Sequence, residues 1–314
     1  MRNIGLDRVK TRTVDNFTTD FGIKFRRIIN KPLRGVFKLA TKRNVYKEAY
    51  PKLEKGKNYI FASTHSFDED IIAGLQTIDR SAYVLIGTTD QIDYNPTMYA
   101  AWVNGMIYVD RQDPESRKQS VLKMERILNS GSSVLLFPEG GWNNTENLLI
   151  EKLFAGPYKL SKDTNIQVVP ISTFNEMGSK NAYVRVGEPL DLYKYDKKEA
   201  LTILRDALAS FRYEQIEEHT TPLKRAELPE DARERFMEAR KNEYLRVKWS
   251  KDVWDEELTV YKDKNIPLAE DVRASLDNIK ITKDNVKILA PILVKRMEDK
   301  KYNFKEYMHK NWNR

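Results

Sequence analysis

The sequence predicts an α/β protein. A layered, mostly parallel central sheet is flanked by helices, with an N-terminal amphipathic helical segment before it and a C-terminal all-helical extension after it. Three observations predict this. From Asn58 to about Ser210, short apolar runs alternate with stretches of helical periodicity, as in crossover-linked parallel strands. Ahead of that region, large apolar residues recur at helical spacing among cations. Beyond Thr220 there is no Gly and no β-rich run. These shifts divide the chain into residues 1–45, 46–220 and 221–314.

The N-terminal segment is read first. Phe21, Phe25, Ile28 and Ile29 recur at i, i+4, i+7 and i+8 among Lys24, Arg26, Arg27 and Lys31. Leu33, Val36, Phe37 and Ala40 repeat the spacing beside Arg34, Lys38, Lys42 and Arg43. Pro32 lies between them, so the expectation is two short amphipathic helices or one kinked helix. Such a segment fits a bilayer interface with its cations near lipid phosphates, and it equally fits a helix packed on the core with a solvated basic face.

The strands that follow are read at Tyr59–Ser63, Tyr83–Gly87, Met106–Asp110, Val134–Pro138, Gln167–Ser172 and Ala182–Gly187. Helices are read near 70–78, 94–103, 115–130, 151–163 and 197–218. No Gly-rich phosphate loop of either common nucleotide type is present. In the C-terminal extension, Pro229, Pro267 and Thr282 mark helix starts, and Val286, Leu289, Ile292, Leu293 and Met297 form a helical face. Trp249, Trp254 and Trp312 fit core, partner surface or membrane anchors alike.

Composition sets further bounds. There is no Cys, which excludes disulfides, zinc fingers and thiol catalysis. No window approaches the about 20 apolar residues of a membrane span. The net charge is +8, and residues 1–48 carry 13 Lys/Arg against four Asp/Glu, so the excess sits in the N-terminal segment. That points to an anionic partner, for which a membrane surface fits better than nucleic acid because no nucleic-acid motif is visible. No His or acid cluster at ligand spacing calls for a metal.

The chemistry gathers at strand ends. His65 follows the apolar run Tyr59–Ala62 and precedes the helical start at Ile71, which places it in a strand-to-helix turn. Asp70, five residues on, reaches back to the imidazole. A carboxylate on one ring nitrogen fixes the tautomer and leaves the other nitrogen to take a proton, although the same pair also fits a turn with a capping Asp. Arg111 ends the strand Met106–Asp110, where ligands bind in open α/β sheets, and its fork suits a phosphate or carboxylate. Leu136-Phe137-Pro138-Glu139-Gly140-Gly141 ends a buried strand in an acid and two glycines that permit close backbone approach. Val168-Val169-Pro170-Ile171 is a strand with a Pro at a bend or site edge.

These four blocks, in this order over residues 64–171, resemble the glycerolipid acyltransferase family: His-x4-Asp, Gly-x-Ile-aromatic-aliphatic-x-Arg, Phe-Pro-Glu-Gly and aliphatic-aliphatic-Pro. The resemblance covers about residues 45–215. It implies His65 as general base, Asp70 as its orienting partner, Arg111 on the acceptor phosphate, and Glu139, Gly140 and Gly141 about the acceptor. It implies an acyl-coenzyme A or acyl-carrier-protein donor, a lysophospholipid acceptor with lysophosphatidic acid as leading case, no bound cofactor, and a cytoplasmic enzyme peripheral on the inner face of the membrane. Two positions depart from the pattern. Thr64 stands where Asn is usual, and Gly141-Trp142-Asn143 replaces a continuation that often supplies a phosphate-contacting cation. Another lysolipid or a glycolipid is therefore an alternative acceptor, and a non-catalytic membrane-binding protein on the same fold is the alternative of another class.

Overall fold

The computed structural model describes residues 13–67, 69–87, 101–143, 148–176, 178–221 and 227–246. Among them, seven strands form one sheet: β1 (Asn44–Lys47), β2 (Ile60–Ser63), β3 (Ala82–Ile86), β4 (Met106–Tyr108), β5 (Ser133–Leu136), β6 (Val168–Phe174) and β7 (Asn181–Val186). Their order is β1-β7-β6-β2-β5-β3-β4. From β6 to β4 all neighbours are parallel. β7 runs antiparallel to β6, and β1 pairs with β7 in parallel, so these two run against the rest.

Alternation along β2 distributes the core. Phe61 joins the cluster of Leu33, Phe37, Ile72 and Leu75 on one face, while Ile60 and Ala62 join Ile127, Leu128, Leu160, Leu204 and Leu208 on the other. The first face is covered by α2 (Asp20–Ala40) and α3 (Asp70–Thr77). The second is covered by α4 (Pro114–Asn129), α5 (Gly156–Thr164) and α6 (Lys197–His219), with the short α1 (Val14–Phe17) against α4. α7 (Ala232–Arg246) follows. Helix starts are chemically marked. Asp113 accepts from Glu115 N and Ser116 N ahead of Pro114, and Asp196 accepts from Glu199 N.

Three readings need correction. Pro32 does not end a helix: α2 runs unbroken through it, because proline's φ is helical and its exposed position lets water serve the carbonyl left without a donor. The apolar residues of α2 also divide otherwise than expected. Ile23, Leu33 and Phe37 are buried, whereas Phe21, Phe25, Ile28, Val36 and Leu39 face outward. The helix read at 151–163 begins only at Gly156, since the stretch before it is held by the site described below. β1 escaped notice because an edge strand with one half-buried side chain shows no apolar run. Residues 101–104 are helical, but the rest of the pattern at 94–103, the helix starts at Pro267 and Thr282, the face Val286–Met297 and the three C-terminal tryptophans lie outside the described residues.

Gly105 lets the chain enter β4. Its φ is +130°, and a Cβ there would meet the Tyr83 ring at 2.6 Å. Gly105→Ala should destabilise the protein by on the order of 3 kcal/mol, combining backbone strain with overpacking. Denaturant unfolding checks this, and a midpoint equal to wild type would show that Tyr83 yields freely.

Candidate active site

The site is assembled at the C-terminal ends of the parallel strands. β2 ends at Ser63, and Thr64 extends its pairing to β6 by one more residue. Thr64 N donates to Ile171 O at 3.0 Å, and its hydroxyl accepts from Thr173 N at 2.9 Å. Thr64 is thus a buried lock between two strands. His65 then leaves the sheet with its side chain 17% exposed.

His65 Nδ1 lies 2.8 Å from Asp70 Oδ2. The same oxygen accepts from Ser66 N at 2.7 Å and Phe67 N at 3.2 Å. Asp70 is 1% exposed and opens α3, and two backbone N–H groups of the preceding turn donate to it. A carboxylate on Nδ1 favours the neutral tautomer with its proton there, which leaves Nε2 outside this contact. The ring is fixed from its faces, with Phe137 at 4.4 Å and Trp142 edge-on at 6.1 Å between centroids.

Glu139 lies behind this pair. It is 1% exposed, and both oxygens are engaged within the protein, Oε1 by His65 N at 3.4 Å and Oε2 by Glu151 N at 2.9 Å. Asn143 N donates to His65 O at 3.1 Å, so the peptide groups on both sides of His65 are tied to the loop after β5. Burial pushes the Glu139 carboxyl up to about 7, opposed by the Glu151 N–H and the Arg212 guanidinium. Gly140 has φ +77°, and a Cβ there would meet Phe154 at 2.5 Å. Phe154 N in turn donates to Pro138 O at 2.7 Å, so the stretch before α5 is used to wall the site. Gly141 is buried beside it.

Arg111 is exposed and donates to Gly140 O, with Gly87 beneath its guanidinium and Arg117 Nη1 donating to Arg111 O at 2.6 Å. The residues read from the sequence, His65, Asp70, Arg111, Glu139, Gly140 and Gly141, are therefore contiguous. Two further residues were not legible. Arg212 on α6 donates to Thr173 O at 2.9 Å and Ser66 Oγ at 3.3 Å, and burial draws its guanidinium down to about 10. Arg240 on α7 lies 4.6 Å over Trp142. Both reach the site from a distant helix, and no local spacing marks them.

Away from the site, Glu48, Glu218 and His219 bring ligand atoms within 4.8 Å of one another. Arg185 ion-pairs with Glu48 at 3.3 Å and Glu218 at 2.7 Å, and Tyr183 stacks on His219 at 3.5 Å. Arg185 already supplies the compensating charge, so the cluster is an ion-pair network joining the end of β1 to β7 and α6.

The chain is similar to known proteins in sequence and fold. A family model described as Acyltransferase matches residues 41–173. A 1-acyl-sn-glycerol-3-phosphate acyltransferase of Borreliella burgdorferi is 24% identical over 119 residues, covering 34% of this chain and 47% of that protein, so the match spans about half of the relative's length. The crystal structure of the 1-acyl-sn-glycerophosphate acyltransferase PlsC of Thermotoga maritima superposes with a TM-score of 0.50 at 15% identity, covering 64% of this chain and 84% of that one, a likeness of fold.

The Glu139 environment has a measurable consequence. Its carboxyl loses its proton near 4.5 when unfolded and near 7 when folded. Between those values the folded protein binds more protons, so this group's contribution to stability falls as pH rises across the window. From pH 4.5 to 8 the stability of wild type relative to Glu139→Gln should drop by on the order of 3 kcal/mol. Denaturant unfolding of both proteins at several pH values tests this, and a difference flat with pH would show a carboxylate ionised throughout.

Proposed function

We propose that this chain is a glycerolipid O-acyltransferase that moves a fatty acyl group from a thioester donor to a lysophospholipid hydroxyl, a reading supported by the match of residues 41–173 to an acyltransferase family model. The observation that carries the reading is the His65 Nδ1–Asp70 Oδ2 contact of 2.8 Å at the mouth of the parallel sheet, with the imidazole partly open to solvent. Nε2 takes the proton of the acceptor hydroxyl as its oxygen attacks the thioester carbonyl. Collapse of the tetrahedral adduct expels the thiolate, and His65 returns the proton to it. Asp70 keeps the ring in the correct tautomer and stabilises the imidazolium that forms between the two steps.

Arg111, exposed at the end of β4, is the cation for the acceptor's anionic group, and Gly140 and Gly141 border the same mouth. Lysophosphatidic acid is the leading acceptor. Trp142 favours a second possibility, since an apolar side chain stands at a position that often carries a cation, and that suits another lysolipid or a glycolipid. Coenzyme A and acyl-carrier protein both fit as the source of the thioester.

The outward face of α2 supports a seat on the membrane. Phe21, Phe25, Ile28, Pro32, Val36 and Leu39 follow one another at intervals of three or four, and Phe21, Ile28 and Leu39 are 77%, 76% and 87% exposed. Lys24, Lys31 and Lys38 recur every seven residues and line one side of that stripe. An apolar stripe with a cationic flank lies in the plane of an anionic interface. Among the described residues no helix is long and apolar enough to cross a membrane.

Acyl transfer is tested with labelled acyl-coenzyme A and acyl-carrier protein against lysophosphatidic acid, other lysophospholipids and neutral glycolipids. Product with one acceptor should fall by about 10²- to 10⁴-fold in His65→Ala. Undiminished product in that variant would remove His65 from the chemistry, and folded protein inactive on every acceptor would favour a non-catalytic role. Co-sedimentation with phosphatidylglycerol vesicles tests the seat. Phe25→Asp and added salt should each weaken retention, and retention indifferent to both would place the contact elsewhere.

A further inference from the structure

Ser66 follows the base directly, and its carbonyl oxygen accepts a hydrogen bond from Arg240 Nη1 at 2.6 Å. Arg240 comes from α7, well beyond the segment that matches the acyltransferase family. Its residue is only 6% exposed. The guanidinium lies over Trp142 at 4.6 Å and pairs with Glu243 at 3.4 Å. Glu243 also binds Arg43 at 3.1 Å, and Arg43 lies 5.0 Å from the Phe67 ring centroid.

One peptide unit joins these contacts to the catalytic pair. The oxygen of the Ser66–Phe67 peptide faces the Arg240 cation, and its N–H, carried by Phe67, donates to Asp70 Oδ2 at 3.2 Å. A cation on an amide oxygen polarises the amide and strengthens its N–H as a donor. We propose that Arg240 is a positioning residue, which acts through the Ser66–Phe67 peptide to hold Asp70 against His65 Nδ1. α7 is then a working part of the site, and Trp142 is the platform that seats the guanidinium. Arg212 holds the same turn from its other side, through Ser66 Oγ and Thr173 O.

The inference rests on His65 as the base of the proposed reaction, so its test carries a readout that needs no turnover. In full-length protein, Arg240→Met keeps an apolar body over Trp142 and removes the charge. Two quantities are measured: kcat and acceptor KM, and the ¹⁵N shifts of the neutral His65 ring, assigned by their absence in His65→Gln. The wild-type ring should be the Nδ1–H tautomer. In Arg240→Met a mixture of tautomers should appear, and kcat should fall by about 10- to 100-fold with KM nearly unchanged, as for loss of a charge-assisted hydrogen bond. Arg240→Lys should restore much of both. A folded Arg240→Met with the wild-type tautomer and kcat overturns the proposal. A tautomer shift in a protein that acylates nothing supports the coupling while refuting the transfer reaction. If Arg240→Met does not fold, Arg240→Gln, which keeps a donor without the charge, carries the same readouts.

Discussion

The turn from β2 into α3 is built around one oxygen. Asp70 Oδ2 receives His65 Nδ1, Ser66 N and Phe67 N within 3.2 Å, in a place almost closed to water. A buried carboxylate is costly unless its charge is met by donors. Meeting it here requires the backbone to curl back on itself between residues 65 and 70, and that curl points the imidazole out of the sheet. Conformation and chemistry therefore have a common origin. The contacts that meet the buried Asp70 oxygen also set the angle at which His65 leaves the strand.

Such a turn cannot hold itself, because every other polar group it buries needs a partner too. The surrounding structure supplies partners for several of them from separate elements, while Asp70 Oδ1 is buried without a hydrogen-bond partner. Glu69 accepts from Thr41 Oγ1 at 2.7 Å and Lys42 N at 3.2 Å, at the C-terminal end of the amphipathic helix α2. Glu139 answers the His65 N–H from the loop after β5, Thr173 in β6 takes Ser66 Oγ at 3.0 Å, and α7 answers the Ser66 carbonyl. The order of the sheet explains why this is feasible. β2 sits between β6 and β5, so the residues that follow β2 and β5 meet the C-terminal half of β6.

This geometry also explains what was legible in the sequence. β2, β5 and β6 are buried on both faces and carry short apolar runs, so the strands could be placed from the pattern along the sequence. His65, Arg111 and Glu139 were singled out because each lies a few residues past an apolar run, and Asp70 because it stands five residues beyond His65. The orientation of α2 was not legible. Apolar side chains occupy two of its faces, and periodicity cannot tell which one the core takes when cations are scattered over both. Arg212 and Arg240 were not legible because an arginine on a polar helix resembles its solvated neighbours until the fold shows what the helix covers.

Trp142 ties these points together. On the sequence it is a departure, an aromatic residue where a small polar or cationic side chain is usual. In the folded protein it is 1% exposed, stands edge-on to His65 and lies beneath the Arg240 guanidinium. A Thr or Ser there would leave that guanidinium without an aromatic face, and an Arg would set two cations against each other in a dry site. Trp142 and Arg240 thus pack on one another as a cation and an aromatic face. The Arg240 cation comes from α7 and is turned toward the backbone of the turn after β2, whereas Arg111 is exposed near the end of β4.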